Sequence, residues 1–241
     1  MHHRFNDILG FSVCAIDGEL GRLTDLYYEE KTLKIRYLVV DTEEWLNGRR
    51  ILINPVEIGY PGWNSGKIPV LLTRNQVKHA PQTEPHKPVS REYEIELARY
   101  YQWVPYWRPV QPISEPAPDV RRKILNRPRR PAHPLEKPFV KSIRDSLGCK
   151  VRAADGYTGT LIDGVIETES WNFKYCVADL SGLMPGKHTL IPAVLIDNEN
   201  RKDNELGIIV EAEKIRKSPG YDSGKSINRE YEMTLLKHYG R

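Results

Sequence analysis

The chain has 241 residues, of which 39% are hydrophobic and 28% charged. That is the composition of an ordinary water-soluble chain, and no apolar run approaches the roughly 20 residues needed to span a bilayer. The formal charge of +4 is unevenly spread. Between Val104 and Pro138 eight basic residues stand against three acidic ones, a net of +5, which leaves −1 for the rest. The N-terminus, Met1-His2-His3-Arg4-Phe5-Asn6-Asp7, lacks the long apolar segment of a signal peptide, so a cytoplasmic location is expected.

In chain order, Gly10 to Ile16 and Leu20 to Tyr28 are β-leaning runs separated by Asp17-Gly18. This pattern predicts a hairpin, because glycine accepts the positive φ of a tight turn. Lys34 to Asp41 reads as the next strand, Ile51-Leu52-Ile53 before Pro55 as another, and Ile68 to Leu72 as a fifth. A short polar helix is predicted from Thr73 to His79, stopped by Pro81. Ser90-Arg91-Glu92-Tyr93-Glu94 opens a second helix, with a capping residue ahead of two acidic ones. Tyr93, Leu97 and Tyr101 give it an apolar stripe at helical spacing.

All of this returns 138 positions later. Asn228-Arg229-Glu230-Tyr231-Glu232 repeats the helix opening, with Tyr231, Leu235 and Tyr239 as its stripe. Gly148-Cys149-Lys150-Val151, Asp155-Gly156 and Gly159 to Asp163 repeat the hairpin, and Lys174 to Asp179 the next strand. Leu206 to Val210 repeats the fifth strand, and Glu211 to Lys217 before Pro219 the short helix. Leu190-Ile191 before Pro192 matches the strand before Pro55 if one residue is dropped from the second copy. The loops differ, Tyr60 to Gly66 against Asn198 to Asn204, so the scaffold is shared and its decoration is not. Short strands near ten-residue spacing, with Gly and Pro punctuation, predict a mainly β chain of two small antiparallel barrels, each with short C-terminal helices. The expected division is residues 5–103, a linker at 104–140, and residues 141–241. The linker holds nine of the eighteen prolines, a density that blocks helix and sheet ladders alike.

The string Gly-x-x-Val-x-x-x-Asp-Gly-x-x-Gly-x-Leu-x-Asp, found at Gly10 to Asp25 and again at Gly148 to Asp163, resembles the opening of PRC-barrel domains. Tyr37-Leu38-Val39-Val40 is similar to a later strand of that family. Pro88 to Glu94 running into Tyr100-Tyr101-Gln102-Trp103 is similar to the tail of stand-alone bacterial members related to the photosynthetic reaction-centre H subunit. The resemblance implies a small β-barrel used as a protein-interaction module, without catalysis or cofactor. It gives a protein partner, or a second copy of the chain, as the expected contact.

Candidate sites follow from residue types. Asp25/Asp163 and Asp41/Asp179 recur in both copies; paired carboxylates can move protons, but at strand ends Asp ordinarily caps turns, and that reading is preferred. Seven scattered histidines, and three cysteines (Cys14, Cys149, Cys176) whose equivalents in the other copy are not cysteine, give no metal spacing and no disulfide framework. Tyr100, Tyr101, Trp103, Tyr106 and Trp107 put five of 22 aromatics into eight residues. With Trp63 they are candidates for a partner contact or for packing between the halves. Arg121, Arg122, Lys123, Arg127, Arg129 and Arg130 are candidates for an anionic partner. Two alternative functions rest on them: an RNA- or ribosome-associated factor, or a peripheral subunit of a membrane complex.

Overall fold

The computed structural model describes residues 1–82, 89–107, 140–180, 186–197 and 204–240. The basic cluster from Arg121 to Arg130 and the loop residues 198–203 lie outside the described residues. The first half contains β1 (His2–Arg4), α1 (Phe5–Ile8), β2 (Ser12–Ala15), β3 (Gly18–Glu29), β4 (Ile35–Asp41), β5 (Arg50–Ile53), β6 (Lys67–Pro69), α2 (Arg74–His79) and α3 (Arg91–Tyr101). The second contains β7 (Val140–Ser142), β8 (Lys150–Ala153), β9 (Gly156–Glu167), β10 (Asn172–Asp179), β11 (His188–Pro192), β12 (Glu205–Gly207), α4 (Ala212–Arg216) and α5 (Arg229–Tyr239).

Two six-stranded sheets result, ordered β5-β4-β3-β2-β6 with β7 on β3, and β11-β10-β9-β8-β12 with β1 on β9. They are mixed rather than purely antiparallel, because β2–β6 and β8–β12 run parallel. The reason is topological: β6 and β12 return to their sheets after long excursions, which parallel pairing requires. Among the described residues no ladder joins β5 to β6. The two ends meet at one bridge, Ile58–Val70, with Ile196–Ile208 its counterpart.

The repeat offset of 138 holds without interruption. Asp41 pairs with Arg50 and Asp179 with His188, so the equivalent of Pro55 is Ala193, and Pro192 stands one position earlier. The expected one-residue deletion is therefore absent; the proline has moved and the chain has not shortened.

The turn residues do more than turn. In the β2–β3 hairpin the loop is Ile16-Asp17, and Gly18 opens the strand at φ 147°. Asp17 Oδ1 accepts from Arg74 N at 2.8 Å and Asp155 Oδ1 from Ala212 N at 2.6 Å, so each turn aspartate reaches the free N–H groups that open the short helix of its own half. Gly21 has φ 145° and lies so close to β4 that a Cβ would meet Asp41 O at 1.8 Å; at Gly159 the figure is 2.3 Å to Asp179 O. Only glycine fits there.

The Arg-Glu-Tyr-Glu repeat pins each long helix to its sheet. Ser90 and Asn228 cap the N–H of Tyr93 and Tyr231. Tyr93 donates its hydroxyl to Pro81 O and Tyr231 donates to Pro219 O. Tyr37 of β4 donates to the buried Glu94, and Tyr175 of β10 to Glu232.

The halves are interleaved. β3 has twelve residues and β2 only four, so β2 pairs with Gly18–Arg22 and leaves the far end of β3 open. An exposed edge of that kind invites another strand. β7 fills it, with Tyr27↔Ser142, Tyr28↔Lys141 and Glu29↔Val140, while β1 fills the equivalent edge of β9. One continuous core contains Phe5, Ile8, Leu26 and Tyr28 together with Ile143, Val165, Ile166 and Phe173.

Candidate interaction surface

The aromatic run that begins at the end of α3 packs largely against the first half. Tyr101 stacks on Trp103 with ring centroids 4.5 Å apart, and Trp103, almost fully buried, donates Nε1–H to Glu57 Oε1 at 2.6 Å. Tyr100 donates its hydroxyl to Gln76 O at 2.8 Å. Tyr106 donates to Glu94 Oε1 at 2.9 Å, with the Arg36 guanidinium 4.0 Å from its ring; Arg91 lies 4.0 Å from the ring of Trp107. Burial pushes the Glu94 carboxyl above its ordinary value, while Arg91 and the two tyrosine donors work against that shift. Val140, from the start of the second half, packs in the same cluster as Tyr37, Leu97 and Trp103. Trp63 stacks on His3 at 4.0 Å and has Trp171 of the second half 6.5 Å away. These six candidates thus have intramolecular partners, and Trp63 stands beside a second-half ring.

Of the repeated aspartates, Asp25 and Asp163 sit where the halves meet, while Asp41 and Asp179 lie opposite Arg50 and His188 in the ladders of their own halves. Asp25 accepts from Ser142 Oγ, from Arg144 N at 3.1 Å and from Leu26 N at 2.7 Å. Asp163 accepts from Asn6 N at 3.1 Å and Gly164 N at 2.8 Å. Burial raises both carboxyls, that of Asp25 to about 6, against the pull of those donors. They cap turns, and the turns they cap belong to the other half.

Among the exposed apolar side chains of the described residues, one pair occurs at equivalent positions in both halves. Val56 is 68% exposed and Leu71 63%; their equivalents Val194 and Ile209 are 59% and 53% exposed. Leu71 N donates to Glu57 O at 2.7 Å and Ile209 N to Leu195 O at 2.9 Å, which places the two members of each pair across neighbouring chain segments. Ile16, also exposed, lies on a chain segment beside Leu71, since Ile16 N donates to Leu72 O. Val104, also exposed, follows the Trp103 that holds Glu57. The sequence carried a signal for this. In Val70-Leu71-Leu72 and Ile208-Ile209-Val210 three apolar residues run together, and a strand with one buried face can take only alternate ones. Each such side chain fully covered by a partner contributes about 1.5–3 kcal/mol.

Among the described residues no three His, Cys, Asp or Glu side chains converge as a metal site would, and no helix is long and apolar enough to cross a membrane. Compared with known families, residues 1–68 match the family described as PRC-barrel domain. A search of curated proteins finds no match to the chain.

Proposed function

Because residues 1–68 form a PRC-barrel domain and the second half repeats its sheet, we propose that the chain is a non-enzymatic tandem PRC-barrel adaptor that binds another protein. Each sheet is read as a PRC-type barrel drawn shut at the Ile58–Val70 or Ile196–Ile208 bridge. The observation that carries the reading is the apolar pair exposed at equivalent positions in both halves, Val56 with Leu71 and Val194 with Ile209. Large apolar side chains held in water at two related places favour a protein contact. The aromatic run supports the first of these places from beneath, through Trp103 and Glu57.

The test compares the wild-type chain with a Leu71→Asp/Ile209→Asp variant as bait in native extract, with and without nuclease. Both positions are exposed, so the fold should tolerate the change to within about 0.5 kcal/mol each. The reading expects one or a few defined polypeptides, retained after nuclease and lost with the variant. Equal recovery on both baits overturns it, and recovery abolished by nuclease transfers the function to nucleic-acid binding.

A further inference from the structure

The backbone contacts that join the halves come largely in pairs related by the 138-residue offset. β1 lies on β9 as β7 lies on β3. Asn6 N bonds Asp163 as Arg144 N bonds Asp25, and Asn6 Nδ2 reaches Ile162 O as Arg144 Nη1 reaches Thr24 O. Ile35 N donates to Trp171 O at 2.7 Å and Phe173 N to Leu33 O at 2.8 Å, around a bridge between Lys34 and Asn172. Positions 34 and 172 are themselves equivalent, so a pseudo-two-fold axis passes between them. Leu33 and Trp171, flanking that bridge, both hold a left-handed backbone, φ 57° and 51°, which a non-glycine residue keeps only where surrounding contacts fix it. This is the anatomy of an isologous dimer interface.

The side chains at that interface have nevertheless diverged in a complementary way. Leu26 and Ile35 of the first half correspond to Gly164 and Phe173 of the second. A Cβ added at Gly164 would lie 2.8 Å from the Phe173 ring, so the ring occupies the space that a side chain at that position would need. Phe173 then meets Tyr28 of the first half at 5.3 Å. A pair of first halves would set Tyr28 against Ile35, and a pair of second halves Ile166 against Phe173. Neither reproduces the aromatic contact.

From this we infer that each half carries a docking surface for the other half of the same chain, formed by the far edge of β3 or β9 and its capping aspartate, and that this surface selects the unlike half over a like one. The residues between 107 and 140 are then unnecessary for the association. This stands apart from the adaptor reading, since it concerns how the scaffold is held and not what it binds.

The experiment places a site-specific protease sequence between residues 108 and 139 of the full chain and cleaves it after folding. Size-exclusion chromatography with light scattering at micromolar concentration should show one species, of the intact chain's mass and with one copy of each fragment. Fragments that elute separately, or as like-with-like pairs, overturn the inference. A second variant guards against trivial co-elution. Thr168 N donates to Met1 O, and Ile143 N to Leu26 O. Antiparallel alternation then makes His3–Ile166 and Lys141–Tyr28 the next hydrogen-bonded pairs. His3→Pro with Lys141→Pro removes both donors. The cut double variant should separate into two peaks, whereas the uncut one should keep the monomer volume and the wild-type circular dichroism, its tether supplying an effective concentration of about 1 mM. Co-elution of the cut double variant would show that the exchanged strands do not hold the halves, and would also overturn the inference.

Discussion

Asp25→Asn should stabilise the protein at neutral pH and flatten part of its pH dependence. Asp25 is 8% exposed, and burial lifts its carboxyl from 3.8 to about 6 despite its three donors. The folded state therefore holds the proton more tightly than the unfolded chain. Such a group contributes its stability fully below the unfolded value, near 4, and loses it as pH rises through about 6. A rise from 3.8 to about 6 corresponds to about 3 kcal/mol, at 1.36 kcal/mol per pH unit. Asparagine keeps an acceptor for Leu26 N and Arg144 N, and its amide can donate to Ser142 Oγ. It should then behave as the protonated acid does at every pH. Urea unfolding of wild type and variant at pH 7.5 and 4.5 measures the difference. The variant should be more stable by about 3 kcal/mol at pH 7.5 and by about 1 kcal/mol at pH 4.5. A variant less stable than wild type at pH 7.5, or a gap that does not change with pH, would mean that the donors outweigh burial and hold the carboxylate ionised.

Gly21→Ala should cost more than about 4 kcal/mol, since a Cβ cannot sit 1.8 Å from Asp41 O without parting β3 from β4. Gly148→Ala, with φ 81° and open space around it, should cost only about 1–2 kcal/mol; thermal unfolding of both variants checks the contrast. Tyr37→Phe should destabilise by about 2–3 kcal/mol and Tyr175→Phe by less, because Glu94 is fully buried while the Glu232 side chain is 24% exposed. Asp155→Ala should cost about 1–2 kcal/mol and Asp17→Ala about half as much. The helix that Asp17 serves keeps a Thr73–Gln76 capping box, whereas the other has no side-chain cap at Glu211. Chemical denaturation ranks each pair.

Much of the fold could be read from residue order, because local rules suffice for it. The 138-residue repeat, the strand sequence and the caps at Ser90 and Asn228 all announce themselves within a few positions of where they act. Three features needed tertiary information. β1 and β7 have three residues each, too few for any periodicity, and their partners are more than a hundred residues away. The parallel β6 and β12 read as ordinary strands, since alternation does not encode direction. Pro55 and Pro192 looked equivalent because proline is a conspicuous marker, but the β4–β5 and β10–β11 ladders fix register by hydrogen bonding and pass proline by. The same limit governs the candidate surface. Tyr101, Trp103 and Tyr106 stand out by composition, and each has found a partner within the first half; Leu71 and Ile209 look like strand interior, but β6 and β12 end at Pro69 and Gly207 and leave both residues in the bends that follow.

The reciprocal exchange of β1 and β7 is the central structural claim, and a through-space NMR experiment on the isotopically labelled full chain reads it directly. Cross-strand contacts from residues 2–4 to residues 165–167, and from residues 140–142 to residues 27–29, are predicted together and at similar intensity. Contacts from residues 2–4 to residues 27–29, and from residues 140–142 to residues 165–167, would mean that each half completes its own sheet, and would contradict the account.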